Sequence, residues 1–139
     1  MNQTAIFWPM LAQVLLAYIV YAVLGRRRFG PLIAGTVRPR VFANRGGEPE
    51  GSATASNNLM NQFELPVLFY TLCLSLYVTA GVWYLTVAVA WLFVALRYAH
   101  ALVHLTSNRL GLRSALFAAG YAMLGLGWIL FALRIAGGP

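Results

Sequence analysis

The sequence predicts an all-α integral membrane protein, a bundle of four spanning helices forming one domain over residues 1–139. Three observations predict it. The chain is 60% hydrophobic and 9% charged, with a mean hydropathy of +0.71, whereas soluble domains carry about 25% charged residues. Four apolar runs each come close to the about 20 residues with which a helix crosses a bilayer. Polar and charged side chains gather at one end of three of these runs, and those ends share one side of the bundle.

The first run, 6–24, is interrupted only by Pro9 and Gln13. Cleaved signal peptides open with a basic stretch; here no Arg or Lys precedes Arg26 and no cleavage site follows, so the run reads as a retained helix. Residues 25–58 are polar and rich in glycine, proline and arginine, and read as a long loop with a short helical or extended piece around 38–44. The second run, 59–80, opens within the stretch NNLMNQFELPVLFY (57–70). Asn57, Asn61 and Glu64 fall at i, i+4 and i+7, which a helix places on one face. Pro66 removes a helical hydrogen bond and predicts a kink just after Glu64. A tight turn at Gly81 makes the third run, 82–105, an antiparallel partner of the second. There Arg97, His100 and His104 at i, i+3 and i+7 share a face that can meet Asn61 and Glu64. Residues 106–113, with Arg109 and Arg113, lead to the fourth run, 114–133, which has no internal charge. Its Ala115, Ala118, Ala119, Gly120, Ala122, Gly125 and Gly127 suit close helix contact, within the chain or between subunits. Trp8, Trp83, Tyr84 and Trp128 lie towards run ends, where aromatic belts form. The single cysteine, Cys73, reads as a small core residue.

All ten basic residues are arginine and all three acidic ones are glutamate. A net charge of +7 in so apolar a chain points to topology and anionic lipid rather than to nucleic acid. Arg26, Arg27, Arg28, Arg38, Arg40 and Arg45 precede the second run, Arg109 and Arg113 lie between the third and fourth, and only Arg134 falls on the other side. The positive-inside rule then places both long connections in the cytoplasm and both termini outside. Asn61, Glu64, Arg97, His100, His104, Arg113 and Ser114 consequently lie at one depth, in the cytoplasmic half of the membrane.

Charges at that depth face a protein interior or a watery cavity, and Glu64 and Arg97 are candidates to pair there. His100 and His104 at i, i+4, with Glu64 as a third ligand, are a zinc set by residue type; HxxxH without HExxH is a weak pattern, and no metal is expected. Arg113-Ser114, at the start of the fourth run, reads from spacing alone as a membrane-interface arginine beside a capping serine; a helix start of this kind can also bind an anion, and a thiol placed against it would be favoured as thiolate.

Asn61-Gln-Phe-Glu64 with Pro66 and Phe69, Arg97-Tyr-Ala-His100, and Arg109-Leu-Gly-Leu-Arg113-Ser114 together resemble the MAPEG superfamily, in its prokaryotic branch. These are the membrane-associated proteins in eicosanoid and glutathione metabolism, and the resemblance covers nearly the whole chain. It implies a homotrimer that binds glutathione as co-substrate between subunits near the cytoplasmic side. It implies cofactor contacts for Asn61, Glu64, His100, His104 and Arg113, and for Arg38 in the first loop. It assigns activation of the thiol to Arg113 and Ser114. The chain departs from the glutathione-using pattern at Asn57 and Met60, where basic residues are expected, and at His104 and Phe117, where tyrosines are expected.

The function so implied is a transferase or peroxidase acting on lipophilic electrophiles or hydroperoxides that arrive through the bilayer of a bacterial inner membrane. The alternative is a membrane scaffold or regulatory protein that keeps the fold without the chemistry. A small multidrug transporter is disfavoured, because the first run lacks the ionisable residue that a transport pathway needs.

Overall fold

The computed structural model describes residues 1–43 and 47–137; Asn44 and Arg45, which the sequence reading placed in the first loop, lie outside them. A short 3₁₀ turn, Gln3–Ile6, opens on Asn2, whose side chain accepts from the Thr4 amide at 3.1 Å. It runs into α1, Phe7–Ile33. Pro9 stands in the first turn of α1, where a helix has no use for the missing amide hydrogen. The helix does not stop at residue 24 as expected. Arginine is a good helix former, and two of the triplet 26–28 find partners. Arg27 donates to the carbonyls of Gly51 at 2.8 Å and Leu105 at 2.6 Å. Arg28 Nε bonds Glu48 Oε1 at 2.6 Å, with the Glu48 side chain 1% exposed. This is the sole ion pair among the described residues.

The expected loop 25–58 therefore shrinks to a connection over 34–49, which contains a 3₁₀ turn, Pro39–Phe42, close to the expected short piece. The second span begins early, as α2, Glu50–Asn61, and resumes as α3, Leu65–Val78. The kink expected after Glu64 is a full break before Leu65. Pro66 cannot donate to the carbonyl four residues back, that of Gln62, and its ring would collide with it. The chain closes α2 instead with short bonds, Gln62 N to Leu59 O at 3.0 Å and Phe63 N to Met60 O at 2.8 Å.

At the far end of α3, Gly81 N bonds Leu76 O at 2.8 Å and Ala80 N bonds Tyr77 O at 3.2 Å. This is a Schellman turn with Ala80 in the left-handed region, φ 50°. It delivers the chain to α4, Tyr84–Leu105. The last helix, α5, spans Leu110–Ala136, one turn earlier than residue 114 and three residues beyond 133.

The four candidate spans are Gln3–Ile33, Glu50–Val78, Tyr84–Leu105 and Leu110–Ala136. Among the described residues there is no strand. α4 packs against α5, α1 and α2, while α3 packs against α5 and α1. The main core gathers Ile6, Phe69, Leu72, Cys73, Phe93 and Leu124. Phe69 and Phe93 stack at 4.6 Å between ring centroids. Gly127 lets α5 approach α3 closely, since a Cβ there would lie 2.6 Å from Leu72 Cδ2. A smaller cluster of Leu16, Val20 and Ala101 joins α1 to α4 nearer the polar end. On α5 only Gly120, Leu124 and Gly127 are buried, so its alanine stripe is left on the outside of the single chain.

Candidate functional site

The helix break creates the site. α2 ends at Asn61, and Glu64 stands at the N-cap of α3 with φ −98° and ψ −100°. The uninterrupted helix that predicted one shared face for Asn57, Asn61 and Glu64 is therefore absent. All three nevertheless line the same open cleft of about 370 Å³. α4 adds His100 and His104, and α5 adds Arg113, Ser114 and Phe117. Three polar stretches distant in sequence thus meet in one place. The carboxylate of Glu64 comes from the α2–α3 break and the guanidinium of Arg113 from the first turns of α5. The ring centroids of His100 and His104 lie 5.7 Å apart, edge to face, and His100 lies 5.8 Å from Phe117. Both histidines are buried, and Nδ1 of each has no hydrogen-bond partner among the described residues. Buried polar atoms without partners carry a large desolvation penalty, so polar ligand atoms would be favoured here.

Arg97 does not pair with Glu64. It is 1% exposed, and its Nη2 donates to the carbonyl of Asn61 at 2.7 Å. The last carbonyls of a helix lack internal partners and carry its negative dipole end, so a guanidinium placed there caps α2. Its Nε and Nη1 have no partner among the described residues, and the Phe117 ring centroid lies 6.0 Å from the guanidinium carbon. Glu64 itself is exposed on the flank of the single chain.

One further expectation is corrected. Ser114 is not a cap: α5 begins at Leu110 with Arg109 at the N-cap, and Arg113 N already bonds Arg109 O at 2.9 Å. The free amides of that helix lie a turn before Ser114, which contributes a hydroxyl from within the helix. Separately, no three His, Cys, Asp or Glu among the described residues are grouped to hold a metal. Arg38 stands apart from the cleft, exposed at the N-cap of the 3₁₀ turn in the first connection.

Sequence reasoning passed over two groups. Asn108, in the left-handed region at φ 46°, accepts from Arg113 Nη1 at 2.7 Å through Oδ1 and so orients that guanidinium. The other is a buried row of amides. Gln13 Nε2 donates to Gln62 Oε1 at 3.0 Å, Gln62 Nε2 to Asn58 Oδ1 at 2.9 Å, and Asn58 Nδ2 to Ala101 O at 3.2 Å. Asn58 and Gln62 lie at i, i+4, the spacing that also drew attention to Asn57 and Asn61, and that spacing was the available signal.

The sequence profile of the MAPEG family matches residues 6–133. The chain belongs to the MAPEG family. No curated protein and no solved structure shows a significant match. The MAPEG match spans every cleft residue, from Asn57 to Phe117, and the four membrane-length helices agree with a MAPEG four-helix bundle.

Proposed function

We propose that this MAPEG protein is a membrane-bound glutathione-dependent transferase or peroxidase acting on lipophilic electrophiles or hydroperoxides. MAPEG membership supports the class, since the family includes glutathione transferases and peroxidases. The observation that carries the reading is the joining of Asn61, Glu64, His100, His104, Arg113 and Ser114 in one cleft. Its donor set suits a zwitterionic tripeptide. Glu64 accepts from an ammonium group, Asn61 and the two imidazoles orient peptide groups, and Arg113 faces negative charge. Glutathione, when bound, supplies a thiolate as nucleophile. Arg113 holds that negative charge and Ser114 donates a hydrogen bond to it, so the proton leaves the thiol more readily. The apolar flanks of the bundle admit a substrate dissolved in lipid.

The working form inferred is a homotrimer in a bacterial inner membrane, with both termini outside. Supporting this, Glu64 and Asn57 are exposed on the flank of the single chain, within the candidate membrane span Glu50–Val78, and an uncovered charge within a span is costly. The scaffold reading is weaker, because Glu64 makes no ion pair among the described residues and does not hold this chain together.

Calorimetry of glutathione binding to the solubilised protein tests the proposal, with Arg113→Ala alongside. Saturable binding is expected, together with a thiolate absorbance band in the ultraviolet that Arg113→Ala abolishes. Failure of millimolar glutathione to bind would sink the proposal. An undiminished band in Arg113→Ala would remove that residue from its role.

A further inference from the structure

We infer that Gln13, on a different helix from every cleft residue, is a positioning residue for the cleft, acting through Gln62 and Asn58 on the α2–α3 break. The inference deepens the glutathione reading and rests on it for the identity of the ligand, but the geometry stands by itself. Each amide in the row donates to the next, from Gln13 to Gln62 to Asn58 to the carbonyl of Ala101. Gln13 and Asn58 are 0% exposed and Gln62 is 2% exposed. The row begins on α1, crosses the end of α2 and finishes on α4 beside His100.

Gln62 is the C-cap of α2, between the two residues that the break presents to the cleft, Asn61 and Glu64. At the break Pro66 replaces regular helical hydrogen bonds by short turn bonds, Gln62 N to Leu59 O and Phe63 N to Met60 O, so helix geometry alone does not set its angle. The amide row supplies that constraint from inside the bundle, while Arg97 supplies another on the Asn61 carbonyl. A Gln at position 13 interrupts an apolar run. A buried amide is retained at a penalty unless hydrogen-bonded, and here its donor is spent on the segment that forms one wall of the cleft.

The test is amide hydrogen exchange on the full-length protein in detergent, comparing the parent chain with Gln13→Met, which keeps length and loses the donor. Val20→Ala, at a 0% exposed position on the same helix outside the row, is the control for general destabilisation. Gln13→Met is expected to speed exchange at Gln62, Phe63 and Val67 by about tenfold, the scale of one lost buried hydrogen bond, relative to α5 amides. Val20→Ala is expected to show no such selectivity. Gln62→Met, which cuts the row at its next link, must show the same local pattern, and it supplies the answer where Gln13→Met does not fold. Equal acceleration at the break and in α5, or none at the break, overturns the inference. Glutathione affinity is expected to fall about tenfold in Gln13→Met on the same scale, with the thiolate band of the bound ligand retained. A parent chain that binds no glutathione would overturn the proposed function and leave exchange at the break to decide this inference.

Discussion

Charged side chains in this protein act mainly on backbone carbonyls and on neighbouring amides. Arg27 and Arg97 each satisfy carbonyls near helix ends, and Arg113 is oriented by Asn108. Arg28 differs, since it neutralises a carboxylate that is 1% exposed. Removing one member of such a pair strands the other. Arg28→Met is expected to destabilise by about 2 kcal/mol, a figure kept low because Arg28 is one-third exposed and solvent screens it. Limited proteolysis should then cut the 34–49 connection faster, and unchanged cutting would deny the pair its role. Asn108 offers a cleaner separation. Asn108→Gly keeps the left-handed backbone easily but loses the Oδ1 that holds Arg113. Its melting temperature should stay within a few degrees while glutathione affinity falls several-fold, the scale of one exposed charge-assisted hydrogen bond. Equal affinity would show that Arg113 orients itself. These roles were hard to foresee because each bond joins groups whose proximity depends on a turn or on another helix. In Arg113 the sequence shows a cation, and only the turn at Asn108 shows what aims it.

At the scale of elements, the spans were legible and their ends were not. Hydropathy reports where a helix sits in lipid, whereas the helix itself stops where its hydrogen bonds do. α1 therefore runs on through the arginine triplet to Ile33, and α5 starts a turn before Ser114. The break in the second span was half legible: Pro66 announced a disturbance, but its depth depended on Gln62 and Phe63 taking up shorter bonds. The convergence of Asn61, Glu64, His100, Arg113 and Ser114 was legible because helix direction alone brings those ends together. Which of Asn57 and Asn58 turns inward was not, since that depends on the neighbours of α2. The Schellman turn gives this scale its own prediction. Ala80 holds φ 50°, a conformation that disfavours any residue with a Cβ by about 1 kcal/mol. Part of the relief in Ala80→Gly is offset by the freer unfolded chain, leaving a net gain of about 0.5 kcal/mol. Thermal unfolding in detergent should show a small rise in midpoint; a fall would mean that the turn is not strained.

For the molecule as a whole, polarity is divided between the two ends. One end carries the cleft and the arginine-bearing connections, while the other carries the Ala80–Gly81 turn and Arg134. Orientation can be read by labelling, because Cys73 is fully buried and silent. In intact bacterial cells a membrane-impermeant maleimide should label Thr79→Cys and spare Ala43→Cys, both exposed positions on opposite ends of the bundle. The reverse pattern would invert the topology drawn from the arginines.

The clamp made by Arg27 also has a meaning in time. Its two acceptors lie 24 and 78 residues further along the chain, so during synthesis the guanidinium must wait for the third span before both carbonyls are present. The amide row likewise ends at Ala101, within that span. A nascent chain that has reached Leu105 therefore already contains every group of the scaffold that fixes the break. The cleft still lacks Arg113, Ser114 and Phe117, which arrive only with the final helix. The cleft is thus completed only with the final helix, on a frame whose fixing groups are already in the chain.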